Sequence, residues 1–266
     1  MNGVLPTGAA ILAQRSSAAI AAAGIDIEVV AETGSTNADL LDRVGGLLRP
    51  TLRIAGHQSA GRGRAGRSWL SAPGSTLMFS LAWKFAGPLP RLAGLPLAAG
   101  VALAETLAAL GVPVALKWPN DLLKDGAKLA GILVETRVAP DQGIWAVIGA
   151  GINLLMPDQL EERIGRSVAS APWLAQMERS RLMAALLDSL AAVLAEFDQA
   201  GFAAFSARWN RLHAHQGQAV AILDQGRVLH EGVAAGVDAG GRLLLDTAQG
   251  RIEVVSGDVS LRPKEG

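Results

Sequence analysis

The feature that most constrains the fold of this chain is a change of pattern near residue 213. Before it, short apolar runs of strand length alternate with longer runs at helical spacing, such as residues 95–110 and 176–200. From residue 217 onward the chain shows short strand-like runs separated by glycine-containing hairpin turns. The pattern predicts two domains, a sheet with packed helices over residues 1–213 and a small β-barrel over residues 214–266.

Within the first part, three apolar runs are predicted to be adjacent central strands of the sheet, at residues 114–118, 129–138 and 145–154. Ser35 or Thr36 is predicted to open a helix after an earlier strand, with free amide hydrogens at its first turn. Such a helix end favours polar or anionic ligands, although a plain helix cap explains the same residues.

Composition excludes several classes of function. The 266 residues include 24 basic and 24 acidic side chains and no cysteine, which excludes disulfides, a thiolate nucleophile and a cysteine metal site. The run at residues 95–110 is interrupted by Gly100 and Glu105 and is predicted to be a buried helix rather than a membrane span. An Ala-rich run at residues 10–23 predicts another helix, without the flanks of an export signal. We therefore expect a cytoplasmic protein with no membrane partner.

Residues 61–69 carry the densest chemical signal in the chain. The run Gly-Arg-Gly-Arg-Ala-Gly-Arg-Ser-Trp combines three glycines, three guanidinium groups and an indole. Glycines let a backbone approach a ligand, arginines offer donors to carboxylate and phosphate oxygens, and an indole can stack on a ring. The letters G-x-G-x-x-G also match a dinucleotide fingerprint, but no Asp or Glu lies between Asp42 and Glu105 to hold a ribose. The run instead predicts a loop that clamps a small anion.

The acid-free interval makes one section of a neutral protein strongly basic. A nucleic-acid surface would usually raise the charge of the whole domain, so the predicted partner is a small anion.

For two groups of residues the sequence predicts no functional role. His213 and His215 lack a clear third ligand for a metal and are interpreted as surface or turn histidines. Most of the remaining basic side chains are interpreted as solvated surface, namely Arg43, Arg49, Arg53 and Arg91.

A second constellation lies around two lysines. Lys117 ends a predicted strand, and the turn that follows holds Asn120 and Asp121. Lys128 then enters an apolar strand that contains Gly131. Either lysine alone is typical of a solvated strand end. Two lysines near an aspartate, an arginine-rich loop and several glycines predict a ligand site.

Five motifs closely resemble those of the biotin protein ligase family, in the same order and at the same spacings. They are Gly-Ser-Thr-Asn at residues 34–37, the loop at 61–69, Lys-Trp-Pro-Asn-Asp-Leu at 117–122, the run at 128–135 and Gly-Ala-Gly-Ile-Asn at 149–153. The loop together with Lys-Trp-Pro-Asn-Asp is highly specific, and the resemblance covers nearly the whole chain. It implies an α+β fold, in which a mixed sheet with flanking helices resembles the class II aminoacyl-tRNA synthetases and precedes an SH3-like β-barrel.

The resemblance also implies a reaction. Such enzymes make biotinyl-5′-AMP from biotin and MgATP, and then transfer the biotinyl group to one lysine of a biotin carboxyl carrier domain. ATP, biotin and Mg²⁺ are therefore the implied small molecules, and no protein ligand of the metal is implied. A lipoate-protein ligase and a non-catalytic biotin-binding regulator stay open as alternatives.

Similarity to the family implies three groups of site residues. The catalytic group is Arg64, Lys117, Asp121 and Lys128. The biotin-binding group is Ser35, Thr36, Asn37, Gln58, Gly61, Arg62, Gly63, Arg64, Lys128 and Gly131. The group that binds ATP or the adenylate is Arg64, Arg67, Trp69, Lys117, Asn120, Lys128, Gly149, Gly151 and Asn153. Whether Asp121 deprotonates the incoming lysine or only orients it is left open.

Some members of the family carry an N-terminal DNA-binding domain. The segment before residue 27 is too short for one, so we expect a ligase without DNA as a partner. The family includes monomers and dimers, and the sequence leaves both a monomer and a homodimer open.

Overall fold

A computed structural model of the chain describes residues 5–14, 24–165, 167–224, 226–257 and 259–263. The helices are α1 Gly8–Ala13, α2 Thr36–Leu41, α3 Leu95–Ala109, α4 Asp158–Ile164, α5 Pro172–Gln176, α6 Arg179–Ala200 and α7 Ser206–Arg211. The strands are β1 Asp26–Thr33, β2 Thr51–Gln58, β3 Thr76–Phe85, β4 Ala115–Lys117, β5 Asp121–Lys124, β6 Ala127–Val138, β7 Ile144–Asn153, β8 Ala219–Asp224, β9 Arg227–Val237, β10 Leu243–Thr247, β11 Gly250–Val254 and β12 Val259–Pro263. The Ala-rich helix predicted for residues 10–23 begins within α1, and residues 15–23 lie outside the described part.

Seven strands form a mixed sheet in the order β1-β2-β3-β7-β6-β5-β4. β1 and β2 run parallel, and every other neighbouring pair is antiparallel. The predicted α+β class is confirmed. The prediction of three adjacent central strands is wrong in part, because β4 lies at the edge and β5 separates it from β6. The turn after Lys117 is so tight that Asp121 already pairs with Lys117, and the residues after Asp121 form a strand of their own.

Helices cover both faces of the sheet. On one face α3 and α6 pack together, and α6 contributes a stripe of buried leucines that includes Leu182, Leu186 and Leu190. Such a stripe at helical spacing is how an amphipathic helix buries its apolar side. On the opposite face the short helix α2 packs Leu40 against Trp145.

One segment of the described chain, Leu89–Ala109, is apolar and long enough to cross a membrane by length and composition, with a mean hydropathy of 1.6. Most of this segment is α3, and the side chains of α3 are buried in the main hydrophobic core. The prediction of a buried helix at residues 95–110 is confirmed.

The C-terminal strands form an SH3-like five-stranded antiparallel sheet in the order β11-β10-β9-β8-β12. Its buried residues, such as Leu243, belong to the same hydrophobic cluster as those of α3 and α6. The indole nitrogen of Trp118 donates a hydrogen bond to the Gly241 carbonyl at 3.2 Å. The amide of Asn210 exchanges two hydrogen bonds with the Val237 backbone, at 2.8 and 3.1 Å. The small sheet is thus docked on the first part, and the boundary between residues 213 and 214 stays a prediction.

Candidate active site

A cavity of about 580 Å³ opens on the sheet face that carries α2, and we name it the sheet cavity. Strands β3, β6 and β7 form its floor, the loop at residues 61–69 forms one wall, and residues of β12 border it. Every predicted site residue lines this cavity except Gly61. The structure therefore brings together residues that span more than a hundred positions in the sequence.

The amino end of α2 presents hydroxyl groups to the sheet cavity. Ser35 caps the helix, because its hydroxyl accepts a hydrogen bond from the Ala38 amide at 3.4 Å. Thr36 donates both its amide and its hydroxyl to Gln58 Oε1, at 2.7 and 3.1 Å. The Thr36 hydroxyl also lies 2.6 Å from the hydroxyl of Ser80, and both side chains are buried. These bonds fix the orientation of the Gln58 amide.

Asn37 is held by protein groups on every side. Its Oδ1 accepts a hydrogen bond from the Ser80 hydroxyl at 2.6 Å. Its Nδ2 donates to Glu135 Oε2 at 2.9 Å and to the Leu133 carbonyl at 3.4 Å. A Cβ on Gly149 would lie 2.2 Å from Asn37 Oδ1, so only glycine leaves room for the amide. Asn37 and Gly149 therefore position the amino end of α2, and their ligand contacts stay a prediction.

The loop at residues 61–69 is a short hairpin. The Trp69 amide donates to the Gly61 carbonyl at 2.8 Å, and the Gly63 amide donates to the Arg67 carbonyl at 2.6 Å. The chain reverses at Ala65, where φ is 53°. Gly61 lies beneath the loop, because a Cβ there would lie 2.5 Å from the Trp69 carbonyl oxygen. Gly61 thus shapes the hairpin instead of lining the cavity.

Two arginines of the loop contact groups from distant parts of the chain. Arg62 forms an ion pair with Glu135 of β6. Arg64 donates to Asn120 Oδ1 at 3.4 Å and, through its other terminal nitrogen, to the Gly257 carbonyl. Arg64 therefore links the loop to the turn after Lys117 and to the C-terminal part.

A partly buried ion pair joins two residues of the implied catalytic group. Lys128 Nζ lies 2.5 Å from Asp121 Oδ1, and the two side chains are only 21% and 18% exposed. The same ammonium lies 5.5 Å from the ring centroid of Trp69. Partial burial strengthens both interactions, since fewer water molecules screen the charges. The pair places a cation and a carboxylate side by side in the sheet cavity.

The indole of Trp69 packs on two glycines that lie opposite each other on paired strands. A Cβ on Gly151 of β7 would lie 2.4 Å from the indole, and a Cβ on Gly131 of β6 would lie 3.1 Å from it. The indole Nε1 is buried and has no hydrogen-bond partner among the described residues. An unpaired buried N–H costs free energy, so this group is available as a donor to a ligand.

Two asparagines of the site brace the strands around the cavity. Asn153 is buried, and its Nδ2 donates to the carbonyls of Lys128 and Ala169 at 3.4 and 3.2 Å. Asn120 Nδ2 donates to the Ile132 carbonyl at 2.6 Å. The nitrogen atoms of both amides are therefore engaged by the backbone, and contacts of either residue with a nucleotide stay a prediction.

Two buried histidines lie next to β4, which carries Lys117. His213 and His215 are only 8% and 7% exposed, so the interpretation as surface histidines is wrong, whereas His215 does lie in a turn. The reason is that residues 212–214 run alongside β4 and hydrogen-bond to it. Burial lowers the pKa of His213 to about 4, and burial together with the charge of Lys117 lowers the pKa of His215. Both imidazoles are neutral at pH 7, and Lys117 supplies the positive charge here.

A network of ion pairs anchors α2 to the sheet. Arg53 is only 18% exposed and pairs with Glu28 at 2.7 Å and with Asp39 at 2.6 Å. Asp39, in the first turn of α2, also accepts a hydrogen bond from the Thr33 hydroxyl at 2.6 Å. The interpretation of Arg53 as solvated surface is therefore wrong, because β1, β2 and α2 meet around it.

Several residues of the cavity have no assignment from the sequence. Ser80 is a fully buried hydroxyl in the otherwise apolar run Met78, Phe79, Leu81, and that contrast is a signal that could have identified it. Glu135, which contacts Asn37 and Arg62 without lining the cavity itself, lies inside the motif at residues 128–135. Residues of the C-terminal part also line the cavity, and no pattern in the neighbouring sequence indicates this position. They are Leu223, Gly226, Val259, Ser260, Leu261 and Arg262.

A resident metal ion does not fit this site. Asp121 is the one carboxylate among the described residues that lines the cavity, and it is already paired with Lys128. The described part of the chain also contains no cluster of three or more His, Cys, Asp and Glu side chains. Mg²⁺ favours carboxylate oxygens, so the described residues of the cavity offer it no dedicated set of ligands.

The sheet cavity combines two kinds of chemistry. Hydroxyls and an oriented amide lie around the start of α2, while Arg64, Lys117 and Lys128 bring positive charge to the same cavity. Such a site can hold a polar neutral ring and gather anionic oxygens nearby. The fold and the site are therefore typical of an enzyme that binds small anionic and polar ligands.

Comparison with known proteins identifies the family of this chain. A profile described as "Biotin/lipoate A/B protein ligase family" matches residues 28–153, and one described as "Biotin protein ligase C terminal domain" matches residues 215–262. The chain is 38% identical over 251 residues to the bifunctional ligase/repressor BirA of Escherichia coli, covering 91% of the chain and 76% of that relative. It is 36% identical to the biotin–acetyl-CoA-carboxylase ligase of Mycobacterium tuberculosis, with 88% of each covered.

A solved structure agrees with these matches. The biotin protein ligase from Aquifex aeolicus in complex with biotin and ATP superimposes with a TM-score of 0.74 at 27% identity, covering 90% of this chain and 99% of that one. The chain belongs to the biotin protein ligase family, and the predicted class of enzyme is confirmed.

Proposed function

We propose that this protein makes biotinyl-5′-AMP from biotin and MgATP, and then transfers the biotinyl group to one lysine of a biotin carboxyl carrier domain. In the first step a carboxylate oxygen of biotin bonds to the α-phosphorus of ATP, and pyrophosphate leaves with the electrons of the broken phosphorus–oxygen bond. In the second step the lysine amine bonds to the acyl carbon and loses a proton, and AMP leaves. The names of the relatives and the ligands of the Aquifex structure support these substrates.

The observation that carries the proposal is the concentration of positive charge in one cavity of a neutral protein. Arg64, Lys117 and Lys128 line the sheet cavity, and Asp121 is the one carboxylate among its described lining residues. A carboxylate and a triphosphate repel each other, and cations fixed around both of them reduce this repulsion. The same cations stabilise the charge that develops as the phosphoryl group is transferred.

We place the ureido ring of biotin at the amino end of α2. That ring offers one carbonyl acceptor and two N–H donors. Ser35 and Thr36 supply hydroxyls there, and Gln58 supplies an amide whose orientation Thr36 fixes. The valeryl tail then runs toward Gly131, where the absence of a side chain lets Lys128 and the Trp69 indole approach the strand, and brings the carboxylate to Lys128.

We place the nucleotide beside Trp69. Its indole N–H is buried without a partner among the described residues and can donate to the ligand, while the ring gives adenine an apolar surface. The phosphates then extend toward Arg64, Arg67 and Lys117. Mg²⁺ enters as the counter-ion of ATP, and no step of the proposal depends on a metal bound by the protein.

The Lys128–Asp121 pair connects the two steps. When an anion binds at Lys128, the ammonium is shared between the anion and Asp121, and this weakens the pair. Asp121 is then able to accept a hydrogen bond from the ammonium of the incoming lysine, which must lose a proton before it attacks. We further propose that residues 1–213 form the catalytic domain and that residues 214–266 form a barrel bordering its nucleotide side.

The test is to incubate the purified protein with MgATP, biotin and a biotin-acceptor domain and to follow the mass of the acceptor. We expect a gain of one biotinyl group that requires both biotin and ATP. Without the acceptor, we expect equal amounts of pyrophosphate and biotinyl-5′-AMP. Incorporation of lipoate in place of biotin would identify a lipoate-protein ligase, and biotin binding without transfer would identify a regulator. Either result would refute the proposal.

A pair of lysine variants tests the site. Lys128→Gln removes the ammonium from the cavity and is expected to slow adenylate formation at least about 100-fold. Lys124→Gln is the matched control, because Lys124 pairs with Asp125 at 2.7 Å outside the cavity. Equal rates in the two variants would contradict the placement of the reacting anions at Lys128.

A further inference from the structure

One carboxylate joins two walls of the sheet cavity. Glu135 lies on β6, where its Oε2 accepts a hydrogen bond from Asn37 Nδ2 of α2 at 2.9 Å. Its Oε1 accepts a hydrogen bond from Arg62 in the loop at residues 61–69. The two oxygens of a single side chain thus connect the helix that presents the hydroxyls to the loop that presents the arginines.

The contact on the α2 side is rigid. Asn37 is 4% exposed, and its amide is held by Ser80 and by the close approach of the Gly149 backbone. Its Nδ2 therefore has a fixed direction, and this in turn fixes the carboxylate of Glu135. An exposed ion pair alone stabilises a protein little, because ordering two long side chains costs entropy. Here one partner is already ordered by a buried amide, so less entropy is lost when Arg62 pairs with it.

We propose that Glu135 is a positioning residue, which holds the loop against α2 and so raises the affinity for biotin; this inference rests on the proposed function. The loop contains three glycines, and ordering such a chain costs backbone entropy. A contact that orders the loop before the ligand arrives removes part of that cost from binding. The charge of Arg62 is then matched by Glu135, and Arg64, Lys117 and Lys128 supply the charge for the reacting anions.

The first test uses Glu135→Gln, which keeps the size of the side chain and an oxygen acceptor for Asn37 but removes the negative charge. We expect the Kd for biotin, measured by calorimetry, to rise about three- to tenfold. In the ligand-free protein, we expect trypsin to cleave after Arg64 and Arg67 faster by a similar factor, because the loop opens more often. Asp141→Asn is the matched control, since it removes a carboxylate from an exposed pair with Lys84 and should change neither quantity.

Kinetics separate positioning from a general loss of structure. In Glu135→Gln we expect a higher KM for biotin but an unchanged kcat for transfer from added biotinyl-5′-AMP. Arg62→Gln removes the same ion pair from a side chain that is 41% exposed, and it should reproduce the effect even if Glu135→Gln folds poorly. The double variant should bind biotin no more weakly than either single variant, because both substitutions remove the same interaction.

The inference is overturned if Glu135→Gln and Arg62→Gln leave the biotin Kd and the cleavage rate unchanged, or if their effects add in the double variant. Its failure is distinguishable from failure of the proposed function. If the unmodified protein biotinylates its acceptor and the variants behave like it, only the role of Glu135 is wrong. If the unmodified protein does not bind biotin, the proposed function fails, and the cleavage assay still tests the contact because it needs no ligand.

Discussion

Replacing Gly149 with alanine disturbs the group of side chains that positions the amino end of α2. The new Cβ would lie 2.2 Å from Oδ1 and 2.9 Å from Cγ of Asn37. Carbon atoms contact their neighbours favourably at about 3.5 Å, so the amide must retreat by more than about 1 Å. The hydrogen bond from the Ser80 hydroxyl to Asn37 is 2.6 Å long, and a retreat of that size breaks it.

The size of the effect follows from burial. Ser80 and Asn37 are 0% and 4% exposed, so solvent compensates little for the lost bond. A buried polar group left without a partner costs about 1–3 kcal/mol, and we expect the free energy of unfolding to fall by about this amount. The displaced helix also carries Ser35 and Thr36. Displacing the groups that bind a ligand by about 1 Å can lower the affinity by a large factor. We therefore expect the Kd for biotin to rise at least about tenfold.

Urea denaturation and calorimetric titration with biotin measure the two effects. Gly46→Ala is the matched control, because no atom lies within 4 Å of the position that its Cβ would occupy. We expect the control to keep both the stability and the biotin affinity of the unmodified protein. A Gly149→Ala protein with unchanged stability would refute the packing argument. A Gly149→Ala protein that is less stable but binds biotin normally would refute the link between this packing and the ligand.

Three further changes have defined outcomes. In Gly151→Ala the Cβ would lie 2.4 Å from the Trp69 indole, so we expect steady-state kinetics to show a higher KM for ATP with little change in the biotin Kd. In Asp121→Asn we expect rapid-quench assays to show transfer from biotinyl-5′-AMP slowed at least about tenfold, with a smaller effect on adenylate formation; equal effects would contradict a role in transfer. The pKa of His213 is about 4 in the folded chain and 6.5 when unperturbed, so the folded state binds fewer protons between these values. Its contribution to stability is complete above pH 6.5 and is lost as the pH falls toward 4, and we expect a loss of about 2 kcal/mol between pH 7.5 and pH 5. Urea denaturation should show that the loss of stability is smaller by this amount in His213→Gln, where His215 still contributes, and unchanged in His230→Gln, where the imidazole is exposed.

The motifs predicted most of the site because each lies where a strand or helix begins or ends. The start of α2 was recognised from Ser35 and Thr36, and the turn after β4 from Asn120 and Asp121. All of these residues line the sheet cavity, as does the arginine loop. Strand ends and helix starts have local signals, since turns and caps require particular residue types. These local signals predict where a ligand site lies, whereas the catalytic group is what the resemblance to the family implies, and its roles stay predictions.

The remaining parts of the fold and site have no local signal. Strand β5 has four residues and follows a turn, and its strand character comes from pairing with β4 and β6. His213 is buried because residues 212–214 run along the sheet edge, and nothing in its neighbouring residues indicates that position. Ser260 and Arg262 reach the cavity only through docking of the C-terminal sheet. The strand character of β5 depends on pairing with its two neighbouring strands, and the other two features depend on segments that are far apart in the chain.

The amino-acid sequence alone determined the family, the α+β class and the chemical groups available to the site, because these follow from short-range patterns and spacings. Only the tertiary structure decided how those charges are paired. Arg62 meets Glu135 across 73 positions of sequence, and Lys128 meets Asp121 across two strands. The strength of an ion pair depends on the distance between its atoms and on their exposure to water. Both quantities are set when the strands come together, so the folded chain determines how strongly each of these cations is paired before a ligand binds.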